Sequence, residues 1–375
     1  LINKQAFKDL FVFGGKIQVL GGLAIFLGSL DRMVITAFLG LKATGMYEVG
    51  GKLAFTARNL SAAAFGPLLP AASYIGSSWE RGDRIPPGER TKKYLSLVFG
   101  ASVVALLPGA FFVREIQEKI MPGVQIPYTL AAVTGSLILL LFIMGIRRFY
   151  SNLAAEDKLI GEDLRDLYLK GFRHINLINV TLFSFLMAAA HPLIITWVGD
   201  GYLPAIPVLV ILSFAYMIHQ GTGPAGLMVR GINRAGRELE YVLIQFTLGI
   251  VWIPAGTFLF GITGTAFGIL GSSALGSLYF FWRTNHAFRI SSREMLKTVM
   301  MPALAPAVSA ALVYGITLII PITDRWISAA AVMVLGCLHL GLTFFILWKL
   351  FLSREEMETI ANAFNRLRPS KRGSK

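Results

Sequence analysis

Apolar runs of about twenty residues recur along the whole chain, separated by short polar stretches and by glycine and proline breaks. About twenty apolar residues rising ~1.5 Å each are what one helix needs to cross the hydrocarbon of a bilayer. With turns and charges as boundaries, the pattern predicts ten helices, at 11–40, 45–78, 94–113, 127–146, 176–198, 203–220, 241–260, 262–282, 299–320 and 326–350. The first two exceed one span. Gly14-Gly15 and Gly21-Gly22 interrupt one, and Gly50-Gly51, Gly66-Pro67 and Pro70 the other, which predicts tilt, kinking or a partly extramembrane course. Close helix packing is the commoner use of such glycines, and also of the small-residue face made by Gly264, Gly268 and Ser272.

Between the spans, residues 79–93 read as a polar turn. In 147–174, Leu159, Leu164, Leu167 and Leu169 alternate with Glu162, Asp163, Arg165 and Asp166, the pattern of an amphipathic interfacial helix under the bundle. Ser353-Arg-Glu-Glu356 is a capping box opening a short terminal helix, and 366–375 is a basic tail. Residues from 79 and from 155, each ahead of two spans, form a faint repeat. The divisions expected are a bundle over 1–285, two terminal transmembrane helices over 286–352, and a cytoplasmic basic tail over 353–375.

Composition agrees with the pattern: 55% of residues are hydrophobic, 15% are charged, and mean hydropathy is +0.63, which makes this an all-α, polytopic membrane protein. A net charge of +14 in a soluble chain would suggest nucleic acid. Here 27 of the 35 Lys and Arg fall on one set of alternate loops and 5 on the other. That is the positive-inside pattern, with both ends of the chain cytoplasmic and the charge set against anionic lipid rather than nucleic acid. Cys337 is the single cysteine, so no internal disulfide forms. The opening Leu-Ile-Asn-Lys has neither an initiator Met nor the order of a signal peptide, and reads as part of a longer protein.

Four charges lie inside predicted spans: Lys16, Asp31, Arg32 and Arg58. Each costs roughly 2.5–3.5 kcal/mol at a helix centre, about 10 kcal/mol together, unless paired or facing a wet cavity. With the turn centred near Ala43, Asp31 and Arg58 differ in depth by about 5 Å, so they are within reach of each other. A lining for an anionic substrate and an ion pair joining two helices are both consistent with this. Lys52, two turns nearer the outer face than Arg58, either receives a headgroup or snorkels.

Enzymatic chemistry is sparse. Val49-Gly-Gly-Lys-Leu53 lacks the first glycine and the hydroxyl of a P-loop. The five histidines show no metal-ligand spacing, and no cofactor or metal site is legible. The outer loops, of about 13 residues at most, leave little room for a glycan polymerase or ligase site. Trp197 and Tyr202 read as aromatic-belt residues, and His191 as a side chain satisfied within the bundle or a proton relay.

Leu30-Asp31-Arg32-Met-Val-Ile-Thr-Ala-Phe-Leu39-Gly40, followed by Ala43-Thr-Gly45-Met-Tyr47-Glu-Val-Gly-Gly-Lys-Leu53-Ala, resembles the Asp-Arg and Gly-x-Tyr hairpin that opens the C-terminal lobe of polysaccharide flippases. Pro70-Ala-Ala-Ser73, Trp197-Val-Gly199-Asp-Gly-Tyr202, Thr222-Gly-Pro224 with Arg230-Gly-Ile-Asn-Arg234, and Gly261-Ile-Thr-Gly264-Thr-Ala266 continue the likeness in order, across most of residues 7–285. The family is the MATE-like multidrug, oligosaccharidyl-lipid and polysaccharide exporter superfamily. The resemblance implies an alternating-access carrier with two six-helix lobes around a cationic cavity, moving polyprenyl-pyrophosphate-linked glycans across the inner membrane. This chain departs from the pattern in lacking the N-terminal lobe and in carrying an extra helix pair at about 94–146.

The expectation is therefore a non-enzymatic flippase. Lys16, Arg32, Lys52 and Arg58 would receive the lipid pyrophosphate, with Asp31 keeping the empty site closer to neutral. Its partners would be membrane lipid, the lipid-linked glycan and glycan polymerase or export machinery. A cation-coupled multidrug exporter on the same fold is the first rival, and a membrane glycan polymerase or ligase the second.

Overall fold

The computed structural model describes residues 4–63, 68, 70, 72, 73, 162–232, 236–319 and 324–351. Among these every regular element is helical, and the chain is a multi-pass helical membrane protein. Five described helices are long and apolar enough to cross a bilayer, or six when a bent pair is taken as one span. The helices expected at 94–113 and 127–146, the turn at 79–93, the faint repeat and the tail from 353 lie outside the described residues.

Helix α1 (Lys4–Leu39) runs unbroken through both of its glycine pairs, where an added Cβ would meet nothing within 4 Å. The glycines do not break the helix; the candidate span begins at Gly21, so Gly14-Gly15 lie outside it. Gly40, at φ +81°, turns the chain alone, and α2 (Leu41–Ala63) begins at the next residue. α2 is likewise unbroken at Gly50-Gly51; Gly50 lets its backbone approach the Ala205 carbonyl and Leu209. The left-handed conformation costs an L-residue about 1–2 kcal/mol. Gly40→Ala is expected to lose that much stability, read by thermal unfolding in detergent.

The segment expected to form an interfacial helix within 147–174 is instead, from 162 onward, the start of α3 (Glu162–Ala188), with Leu164, Tyr168, Leu169 and Phe172 buried in the main core. Its charged side is used too: Arg165 pairs with Glu294 at 2.5 Å. The amphipathic pattern was real, but its apolar face meets protein rather than lipid headgroups. The span expected at 176–198 is bent by 72° between α3 and α4 (Ala190–Val198). After a 3-10 turn at Asp200–Ala205, α5 (Ile206–Gly231) continues past its expected end at 220, with Gly221, Thr222 and Pro224 buried.

Helix α6 (Gly236–Ala287) consists of two helical halves joined at Phe260 and Gly261, the latter at φ +63°. These are the spans expected at 241–260 and 262–282. The halves fold back on each other so closely that a Cβ on Gly256 or Gly264 would overlap the other's backbone carbonyl. The small-residue face therefore serves packing, and Gly264→Ala is expected to cost about 1–3 kcal/mol by overpacking, measured in the same unfolding assay.

The two hairpins share one turn. Thr36 and Thr44 hydroxyls are 2.9 Å apart across Gly40, and Thr257 and Thr265 hydroxyls are 2.7 Å apart across Gly261. The later threonine in each also donates to the turn glycine's carbonyl, at 3.1 and 3.2 Å. Leu39 lies beside Gly261, so the two tips are neighbours.

The last elements are a short α7 (Ser292–Met295), capped by the Ser291 side chain, a π turn (Leu296–Met300), α8 (Met301–Ile319) and α9 (Arg325–Leu350), capped by Asp324. They attach mainly along α3, where Asn176 donates to the Val299 carbonyl and the His339 ring meets the Thr181 carbonyl at 3.0 Å. Arg325 donates to the carbonyls of Thr196 and Trp197 at the end of α4.

Candidate functional site

The site is built on the first hairpin, and a single-residue turn sets its register. Residues equidistant from Gly40 face each other: Thr36 meets Thr44, and the Arg32 guanidinium pairs with the Glu48 carboxylate. Asp31, 7% exposed, accepts the Tyr47 hydroxyl at 2.7 Å and the Arg32 backbone N–H at 2.8 Å.

This register separates two residues that the sequence suggested could meet. Asp31 lies nine residues before the turn and Arg58 eighteen after it, so along the helices they differ in level by about 13 Å rather than about 5 Å. The turn falls on Gly40, not near Ala43, and Asp31 takes Tyr47 as its partner. Removing that partner in Tyr47→Phe is expected to cost about 1.5–3 kcal/mol, the usual loss of a hydrogen bond to a charged group. Detergent unfolding of the two proteins side by side measures it.

Glu48 is the residue that sequence reasoning missed at this level. It lies within the helix expected at 45–78 but was not counted among the in-span charges, which were given as Lys16, Asp31, Arg32 and Arg58. Its position eight residues past Gly40, opposite Arg32, was the available signal. Arg32 and Glu48 are both about half exposed, so their pair is accessible rather than sealed.

Arg58 is placed differently. Its guanidinium carbon lies 5.3 Å from the Tyr216 ring centre and 5.8 Å from that of Phe55, a cation held over aromatic faces. Among the described residues no carboxylate forms an ion pair with it. Its backbone carbonyl accepts from the Gln220 amide at 2.8 Å, which fixes α2 against α5. Lys52 is exposed on α2, and Lys16 lies on α1 with its side chain outside the described residues.

On the same turns of α5 as Tyr216 and Gln220, which both meet Arg58, sits His219, whose Nδ1 is 3.1 Å from the Gln245 amide nitrogen. Sequence reasoning placed these residues within the span expected at 203–220 and gave them no role. It looked instead to His191, which is exposed and not enclosed by the bundle. Trp197 and Tyr202 are exposed at the end of α4 and in the turn that follows, as a belt position requires.

The end of the bundle remote from the Gly40 and Gly261 tips is held by ion pairs. Arg230 grips Glu238 with two nitrogens. Arg283 meets Glu240 at 3.3 Å, with the Tyr279 hydroxyl 2.6 Å from the same oxygen. Among the described residues no group of three His, Cys, Asp or Glu side chains is arranged to hold a metal. The arrangement offers a polar, cation-bearing strip along α2 and α5. Comparison with protein-family models, curated proteins and solved structures yields no match to this chain.

Proposed function

We propose that the protein is a membrane carrier that moves a polyprenyl-pyrophosphate-linked oligosaccharide across the inner membrane by alternating access, as part of cell-surface polysaccharide biosynthesis. It would be a flippase of the MATE-like superfamily, working beside glycan polymerase or export machinery. The observation that carries this reading is Arg58: a half-buried guanidinium on α2, set over Tyr216 and Phe55 and lacking a carboxylate partner among the described residues. A partly desolvated cation held over aromatic rings without a counter-ion favours an anion beside it, and a passing pyrophosphate would supply one. Arg32, already paired with Glu48, would take a secondary part, with Lys52 and Lys16 along the route.

Glu48 favours a second reading. With Asp31 it places two carboxylates at one level of the first hairpin, which is what a cation-coupled exporter of cationic compounds would need. The test is translocation of a labelled polyprenyl-pyrophosphate sugar in proteoliposomes. Slow transport by Arg58→Ala supports the flippase. Normal transport by both Arg58→Ala and Arg32→Ala removes the assigned site.

A further inference from the structure

We propose that His219 accepts a proton when an anion occupies the Arg58 site, so that headgroup binding tightens as pH falls. The proposal rests on the reading of Arg58 as the headgroup contact.

The geometry fixes the resting state of the ring. The Gln245 amide nitrogen lies 3.1 Å from His219 Nδ1 and 3.4 Å from the Ser273 carbonyl oxygen. An amide nitrogen carries two hydrogens, and both are used here. Turning the amide over would press its oxygen against the Ser273 carbonyl. Nδ1 is therefore an acceptor, and His219 is neutral with its proton on Nε2.

The charged and titratable surroundings are lopsided. From α2 comes Arg58, whose guanidinium lies over the Tyr216 ring, one turn before His219 on α5. From α5 itself comes Tyr216, under the Arg58 guanidinium. From α6 come Gln245 and Tyr241, the latter with its ring centre 6.3 Å away, and beyond Tyr241 stands Glu238, already held by Arg230. From α3 comes Phe172, close to Gly221; the charged groups of that helix are occupied elsewhere, Arg173 on the Phe351 carbonyl and His174 on the Lys170 carbonyl, with Lys170 exposed. Among the described residues His219 has no carboxylate partner.

A proton taken from water onto Nδ1 thus places a second positive charge near Arg58. It also turns the Nδ1 acceptor into a donor facing the Gln245 amide, so that hydrogen bond breaks. A bound anion offsets the charge. Because coupling is reciprocal, whatever an anion does for the proton, the proton does for the anion. Gln245 joins α5 to both halves of α6, through His219 and Ser273, so its release would loosen the packing beside the occupied site.

The experiment is calorimetric binding of a polyprenyl-pyrophosphoryl sugar to the full chain in nanodiscs, from pH 7.5 to 5.5. The pyrophosphate diester does not itself titrate in this range. Wild type is expected to bind at least about threefold tighter at the lower pH, within the limit of about tenfold per pH unit for one linked proton. His219→Gln is expected to bind without that slope. In wild type, the heat measured in two buffers of different ionisation enthalpy should report proton uptake on binding, a readout independent of any variant. A slope that survives His219→Gln, or no proton uptake in wild type, overturns the proposal. Unaltered binding by Arg58→Ala would instead overturn the headgroup assignment on which it rests.

Discussion

Glu240→Ala is expected to lower the stability of the detergent-solubilised protein by about 3–5 kcal/mol, the loss seen when one member of a buried ion pair is deleted. Glu240 and Arg283 are 1% and 3% exposed, on opposite halves of the second hairpin, and the Tyr279 hydroxyl is 2.6 Å from the carboxylate oxygen that Arg283 meets. Removing the carboxylate takes from the buried Arg283 its ion-pair partner and from the Tyr279 hydroxyl the acceptor at 2.6 Å. Glu240→Gln keeps an acceptor for Tyr279 and should cost less. A change under ~1 kcal/mol in Glu240→Ala, from unfolding titrations, would show that the pair does not hold the hairpin.

Arg58→Ala is expected to slow translocation of a lipid-linked sugar at least about tenfold, equivalent to ~1.4 kcal/mol of lost headgroup interaction. The fold should survive, because the side-chain contacts of Arg58 are with two aromatic rings and the Gln220 bond goes to its backbone carbonyl. Arg58→Lys keeps the charge but loses the flat face set over Tyr216, and should fall between the two. Arg32→Ala removes a cation already matched by Glu48, so its effect should be the smaller. Transport by Arg58→Ala at the wild-type rate, with the protein shown folded, would contradict this order.

Much of the fold was legible because apolar length and glycine punctuation act locally. The spans at 241–260 and 262–282 emerged within a few residues, since Gly261 both ends one helix and starts the next. The terminal helix at 326–350 was equally plain, with Asp324 as its cap. Long-range packing was less legible. Residues 162–174 looked interfacial because the sequence shows an apolar face without saying what covers it, and here the covering partner is the main core. Residues 221–224 looked like a loop for their glycines and proline, yet they sit inside α5 where small residues let neighbouring helices close in.

The candidate site was legible as a set of charges but not as a set of pairs. Placing the turn three residues late joined Asp31 to Arg58 and hid Glu48 from Arg32. The threonines flanking Gly40 and Gly261 would have fixed the register, since the same spacing occurs in both hairpins. His219 was beyond reach, because its role depends on Gln245 and Arg58 from two other helices.

The proposed carrier requires the side chain at position 58 to face an aqueous route and to be covered when substrate binds. With Cys337, itself exposed, replaced by Ser, the direct measurement is labelling of Arg58→Cys in membranes by a charged thiol reagent confined to water, with and without a polyprenyl-pyrophosphoryl sugar. The account predicts labelling without the sugar and protection with it. No labelling in either condition, or labelling that the sugar leaves unchanged, would contradict it.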